Sequence, residues 1–301
     1  MTVLIFSCFT RRLVRGVFLV FAMFWVQGCG LTEAEPPVAT VSVGLNRQDV
    51  PLGGPLEMNY RFSTATEGLV GGDEHRIFVH FLDEDGQLMF TDDHEPPDPT
   101  SGWRSGQSVT YDRRMTVPVY PYIGTVTVAV GLYSPRTGER LPMVGDDLGQ
   151  RAYQVASFNM APQSESGFLM FDQGWHPVES SPDDPMVEWQ WTTGESIITF
   201  RNPEVDSTFY LEVQGRPELF ENPQVLSLRI GEVILQSIEL SGEQSSYHVI
   251  QIPSSAFGSN EMVELTLGVD QTFVPAVVTE GENLDDRELG IQLFYAFLEI
   301  D

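Results

Sequence analysis

Five side chains in the C-terminal half are of the types that recognise sugars: Trp175, Trp189, Trp191, Tyr210 and Arg287. Indole and phenol rings are apolar plates edged by a single N–H or O–H donor. Sugar recognition commonly sets such plates beside carboxylate, amide and guanidinium groups, which Glu188, Gln190 and Arg287 supply. Spacing qualifies the set. Val187, Trp189 and Trp191 share one face of a strand, because side chains alternate every two residues, and core is the favoured reading of a face that pairs valine with two tryptophans. Trp175 follows Gly174 in a stretch with no period, which makes it the candidate for an exposed platform.

Other chemistry is sparse. The chain has no H-E-x-x-H, no G-x-S-x-G elbow, no P-loop and no dinucleotide glycine fingerprint. Its histidines, His75, His80, His94, His176 and His248, stand apart in sequence, and no pair has helical metal-ligand spacing. The loop Thr91 to Asp98 gathers Asp92, Asp93, Glu95, Asp98 and His94. Ca²⁺, which wants roughly six to eight oxygen ligands, is the cofactor such a loop suits; a solvated acidic turn is the other reading. A glycosidase needs two carboxylates across a cleft, and no pair stands out among 43 acidic residues. The expectation is a non-enzymatic protein with no catalytic residues and no bound transition metal.

The N-terminus carries a different message. Arg11, Arg12 and Arg15 precede an apolar run from Gly16 to Val26, which ends in Val26-Gln27-Gly28-Cys29. A basic flank, a short apolar stretch and a small-residue site make an export signal. The run is shorter than the roughly 20 residues that span a bilayer. Its last four residues resemble the lipobox of bacterial lipoproteins, with Gln27 standing where a small residue is usual. The resemblance implies a signal peptide over 1–28 and palmitate-type acylation of Cys29, with membrane residence through the lipid. An uncleaved N-terminal helix, or a signal cut elsewhere, is the alternative. Gly30 after the cysteine, where inner-membrane retention is associated with aspartate in some bacteria, points to the outer membrane of the cell envelope.

Cys8 leaves with the signal and Cys29 is consumed by lipid, so no disulfide is expected within the fold, and apolar cores must hold it together. The 301-residue chain has 16 arginines, no lysine and 43 acids; the signal holds three of the arginines, leaving 13 and a formal charge of −30. Nucleic acid and anionic lipid headgroups repel such a surface. Residues 161–301 alone carry 4 arginines against 25 acids.

The elements that must position these residues are strands. Residues 29–37, with Glu33, Glu35, Pro36 and Pro37, read as a tether. Beyond it Val41 and Val43, then Leu56, Met58, Tyr60 and Phe62, then Ile77, Val79 and Phe81 recur with a period of two. Asp83-Glu84-Asp85-Gly86 and Ser134-Pro135-Arg136-Thr137-Gly138 are hairpin turns between apolar runs. These signals predict about seven strands over 38–160. Trp103, in Thr100-Ser-Gly-Trp103, is expected to plug one end of the resulting sandwich. The non-periodic Ala161 to Gly167 reads as a linker. After it strands are predicted at 195–200, 208–213, 225–230, 233–240, 247–252, 263–269 and 290–300, with a hairpin at Arg229 to Val233. Short strands without a long amphipathic helix predict an all-β chain of two antiparallel β-sandwich domains, 38–160 and 168–301.

Two stretches carry resemblances. Arg76 to Gly86, Pro99 to Trp103 and Gly124 to Pro142 resemble an Ig-like accessory domain of the kind appended to bacterial membrane glycosyltransferases and found in other envelope proteins; Val126 stands where related sequences often have tyrosine. Gly174 to Glu179, Val187 to Trp191, Thr272 to Ala276 and Asp286 to Gly290 resemble a jelly-roll accessory domain similar to carbohydrate-binding modules. The resemblances imply an Ig-like sandwich followed by a jelly-roll-like one, with envelope polysaccharide as partner. The same two non-catalytic sandwiches on an anchor would equally serve as an adaptor for another envelope protein; a solvent-facing Trp175 in a concave sheet favours the glycan and a buried one the adaptor. Neither resemblance carries a catalytic group.

Overall fold

The period-two pattern becomes strands in a computed structural model that describes residues 35–65 and 74–300. The signal segment 1–28 and Cys29 lie outside the described residues. Ten strands occupy the first part: β1 (Ala39–Leu45), β2 (Asp49–Pro51), β3 (Pro55–Thr64), β4 (Arg76–Leu82), β5 (Leu88–Thr91), β6 (Ser108–Thr116), β7 (Gly124–Tyr133), β8 (Met143–Val144), β9 (Asp146–Asp147) and β10 (Tyr153–Ala161). One sheet runs β6-β3-β1-β8 and the other β2-β10-β7-β4-β5, with β9 on β10. Pairing is antiparallel except for β1 with β8 and β2 with β10. The three strands beyond the seven expected, β2, β8 and β9, are two or three residues long, too short to leave a period.

Alternation sets the layers. Leu56, Met58, Tyr60 and Phe62 on β3 are fully buried, while Glu57, Asn59 and Arg61 between them face solvent. They meet Ile77, Val79 and Phe81 of β4 and Val126, Val128 and Val130 of β7 in one core. Trp103 closes it as expected: its ring lies 5.2 Å from that of Phe62 and its Nε1–H donates to the Asp98 carbonyl at 2.9 Å. At the β4–β5 hairpin the Asp83 carboxylate accepts from the amides of Asp85 and Gln87 at 3.0 and 2.8 Å. Gly86 follows at φ +75°, a backbone conformation cheap only for glycine.

The second part holds β11 (Met170–Phe171), β12 (Glu179–Ser180), β13 (Glu188–Trp191), β14 (Glu195–Arg201), β15 (Ser207–Gln214), β16 (Gln224–Ile230), β17 (Val233–Leu240), β18 (Ser246–Ile252), β19 (Met262–Val269) and β20 (Gln292–Ile300), with a single helical turn, α1 (Pro275–Val278). Two five-stranded antiparallel sheets form, β11-β14-β19-β16-β17 and β12-β13-β20-β15-β18. Between them Ile198, Phe200, Phe209, Leu211, Leu226 and Leu265 make a second core, all with no exposed surface. Each such side chain contributes roughly 1.5–3 kcal/mol by burial, which is how a fold with no cysteine among its described residues is held.

The outer face of the β20–β15–β18 region is aromatic and covered. Tyr210, Tyr247, Tyr295 and Phe297 lie at ring spacings of 6.2–6.4 Å, and residues of the first sandwich pack on them. Tyr295 Oη–H donates to the Gly53 carbonyl at 2.7 Å. The Arg114 guanidinium sits 3.6 Å above the Tyr247 ring. Arg47 pairs with Glu299.

Candidate functional site

Three of the five expected ligand-binding residues meet in one pocket. Trp189, Trp191 and Arg287 line a cavity of about 320 Å³ at the β13 end of the second sandwich. Strand β13 places both indoles on one face by its alternation, as expected, but that face is not core: Trp191 is buried yet lies outside the second core. Loops cover it instead. The Phe273 ring meets Trp191 edge-on at 5.7 Å, and the Arg216 guanidinium lies 5.3 Å over the same indole. Phe273 lies in Thr272 to Ala276, one of the stretches that carry the jelly-roll resemblance, whereas nothing in the sequence singled out Arg216, on a loop more than 20 residues from β13.

Arg287 is the organising charge. Its Nη2–H donates to Glu179 Oε1 at 2.7 Å and to Asp285 Oδ2 at 2.6 Å, and its Nε–H donates to both Asp285 oxygens at 2.9 and 3.1 Å. The Asp285 carboxylate also accepts the Arg287 amide at 3.0 Å. These bonds, chiefly the side-chain one, hold the Asp285 carboxyl down at about 2. They raise the Arg287 guanidinium above its ordinary value in turn. Strand pairing brings Glu179 in, since it lies directly opposite Trp189 in the β12–β13 register. Arg216 is 3.6 Å from Glu218 on the opposite wall. The pocket therefore offers two indoles, two arginines and three carboxylates, with each arginine already facing an acid.

Trp189 carries a further feature. Its Nε1 is sealed from solvent and has no hydrogen-bond partner among the described residues. The same indole walls a second cavity of about 150 Å³, which Glu188, Gln190, Phe171 and Phe294 also line. The Gln190 amide there is spent on the His176 carbonyl, at 3.0 Å.

The other two expected residues lie elsewhere. Trp175 is not an exposed platform: it is half-buried against the second core, with its ring edge-on to Phe171 at 4.9 Å and its Nε1–H donated to the Ile197 carbonyl at 2.8 Å. The reason is Gly174, whose φ of +82° folds the chain back so tightly that a Cβ there would lie 2.0 Å from the Glu195 carbonyl oxygen. Tyr210 belongs to the contact between the two sandwiches. Its hydroxyl donates to Glu299 Oε2 at 2.7 Å and accepts from Arg47 Nη2 at 3.1 Å, and burial raises its pKa.

Three of the four acids of the Thr91–Asp98 loop are engaged within the fold. Asp92 binds Arg113 through two bonds of 2.5 and 2.6 Å. Asp93 accepts the Val79 amide at 3.1 Å, and Glu95 faces Arg76 at 3.6 Å. His94 is buried, with Nδ1 at 2.8 Å from the Asp92 carbonyl and Nε2 at 2.8 Å from the Tyr111 hydroxyl. Among the described residues no three histidines, cysteines or acids are grouped as metal ligands.

No protein-family model matches the chain, and no curated protein matches it in sequence. Among solved structures it is similar to the C-terminal domain of Wzt, with 7% identity over 43% of this chain and 77% of that one and a TM-score of 0.31. It is similar to the Pseudomonas fluorescens alkylpurine DNA glycosylase AlkC, with 11% identity and a TM-score of 0.27, over 41% of this chain and 30% of that chain, less than a third of the glycosylase. The CBM22-1–CBM22-2 tandem of Paenibacillus barcinonensis Xyn10C matches 88% of this chain and 93% of its own, with 9% identity and a TM-score of 0.27. Every one of these TM-scores is below 0.5, so the all-β reading rests on the sheets themselves.

Proposed function

We propose that this chain is a non-catalytic, lipid-anchored envelope protein that binds a glycan in the Trp189–Trp191–Arg287 pocket. The observation that carries the reading is the pocket's mixture of groups. A pyranose ring has an apolar C–H face that packs on an indole. Its hydroxyls donate and accept at once, so they pair with a carboxylate oxygen and a guanidinium N–H on the same rim. Small-molecule sites run from about 300 to 1,000 Å³, and this cavity of about 320 Å³ stands at the lower end. Asp285 does not suit the role of a glycosidase acid, which needs a raised pKa, because Arg287 holds it down at about 2.

Tryptophan fluorescence of the full chain in detergent, titrated with envelope polysaccharides and their constituent sugars, tests the pocket. A saturable shift that disappears in Arg287→Ala supports it; silence across the panel from folded protein refutes it. Silence would favour the adaptor reading, to which the packed Trp175 already points and for which Leu284, 88% exposed, and Val277, 72% exposed, are apolar side chains next to residues that line the pocket. Photo-crosslinking from position 284 would then identify the protein partner. The anchor is tested apart from the ligand. Cys29→Ser should remove the fatty acids seen by mass spectrometry and move the chain out of the membrane fraction, because two or more acyl chains give stable attachment and none gives none.

A further inference from the structure

We propose that the site has a second sugar-binding position on the far side of Trp189, so that its ligand is an oligosaccharide of at least two rings; this rests on the glycan reading of the pocket. Trp189 walls both the larger cavity and the smaller one of about 150 Å³. A chain with its end ring between Trp191 and Arg287 crosses Trp189 to leave.

The two cavities differ in size. The larger, about 320 Å³ against about 150 Å³, has the buried Pro275 and Leu289 in its lining and an open rim at Val278 and Leu219, 43% and 37% exposed, and it takes the first ring. The smaller has its Phe294 ring 6.0 Å from Trp189, and its rim is open: Val178 is 57% exposed and Phe171 39%. Its other wall reaches Tyr295, whose hydroxyl is bound to the first sandwich at Gly53. The ligand therefore cannot continue along the sheet beneath that sandwich and turns to solvent after the second ring.

Calorimetry on the full chain in detergent would compare each monosaccharide with its disaccharide and trisaccharide, using glucose with cellobiose and cellotriose, N-acetylglucosamine with its β-1,4-linked oligomers, and mannose with its α-linked oligomers. For the series that binds, the disaccharide should bind about tenfold tighter than the monosaccharide, the trisaccharide adding little; about 1.4 kcal/mol per tenfold is the conversion. Glu188→Ala and Phe171→Ala, both at exposed positions, should erase that gain while leaving monosaccharide affinity unchanged. Equal affinity for one ring and two, or a gain untouched by both variants, overturns the second position and leaves the pocket standing. Failure of every saccharide to bind overturns the pocket and the second position together.

Discussion

Replacing Trp189 with phenylalanine should move stability and binding in opposite directions. The buried indole N–H lacks a partner, and an unsatisfied buried donor costs about 1–3 kcal/mol. Trp189→Phe removes it. The substitution also removes roughly 50 Å² of ring surface, worth about 1 kcal/mol at 25 cal/mol/Å², and less here because Trp189 is only half-buried. The free protein should gain on the order of 0.5–2 kcal/mol from the lost penalty. At about 2–4 °C per kcal/mol for a fold of this size, the melting midpoint rises by about 1–8 °C. Binding should weaken, because the smaller ring offers a sugar face roughly 50 Å² less surface; about 1 kcal/mol at 25 cal/mol/Å² corresponds to a loss of roughly fivefold. Differential scanning fluorimetry with and without saturating saccharide reads both quantities in one experiment. A variant that melts lower than the parent and keeps the full saccharide-induced shift would refute both the penalty at this N–H and the assignment of this ring to the ligand.

Arg287→Gln should let the Asp285 carboxyl rise from about 2 toward the ordinary aspartate value near 3.9, read by carboxylate NMR titration; an unmoved titration would mean the arginine is not what holds it. Burial lowers the His94 pKa below its unfolded value, with Arg113 adding to the effect against the opposing pull of Asp92 and Asp93, so the unfolded chain binds the proton first. The stability His94 contributes is complete above about pH 6.5 and is lost as pH falls through its folded value, by at most about 1.4 kcal/mol per pH unit. His80 and His248, also lowered by burial, act in the same window, so the melting-temperature slope between pH 7 and 5 should shrink, without vanishing, in His94→Phe. Gly174→Ala should destabilise by more than about 3 kcal/mol, because a positive φ of 1–3 kcal/mol adds to a Cβ placed 2.0 Å from the Glu195 carbonyl oxygen; urea denaturation would show it, and a change under 1 kcal/mol would mean the turn relaxes at little cost.

The fold was legible where a strand has one wet face and one dry face. The residues named for β1, β3 and β4 are all buried, and the seven strands expected after residue 190 lie within two residues of those formed. What did not leave a signal was short or nonlocal: β8 and β9, at two residues each, show no period, and nothing local sets β2 beside β10. The site followed the same division. Trp189 and Trp191 share a pocket because a strand's alternation is local information. Glu179, Arg216 and Phe273 reach it through pairing and loops, which composition does not record. Trp175 illustrates the converse error: a lack of period resembled exposure, but Gly174 turned the indole back onto Phe171.

Tyr210 shows why an aromatic inventory alone does not locate a sugar site. With Tyr247, Tyr295 and Phe297 it forms the row of rings that would make the most obvious platform for a long polysaccharide. That row is the seat of the first sandwich instead. Arg114 caps Tyr247, the Gly53 carbonyl takes the Tyr295 hydroxyl, and a Cβ at Gly53 would lie 3.7 Å from the Phe297 ring. Burial pushes the Tyr247 hydroxyl up to about 12, so these phenols stay neutral at physiological pH. A second sandwich standing alone would expose four aromatic rings in one patch, the kind of surface that drives association. The first sandwich removes that hazard and, by occupying the broad face, leaves ligand recognition to the narrower pocket at the end of β13.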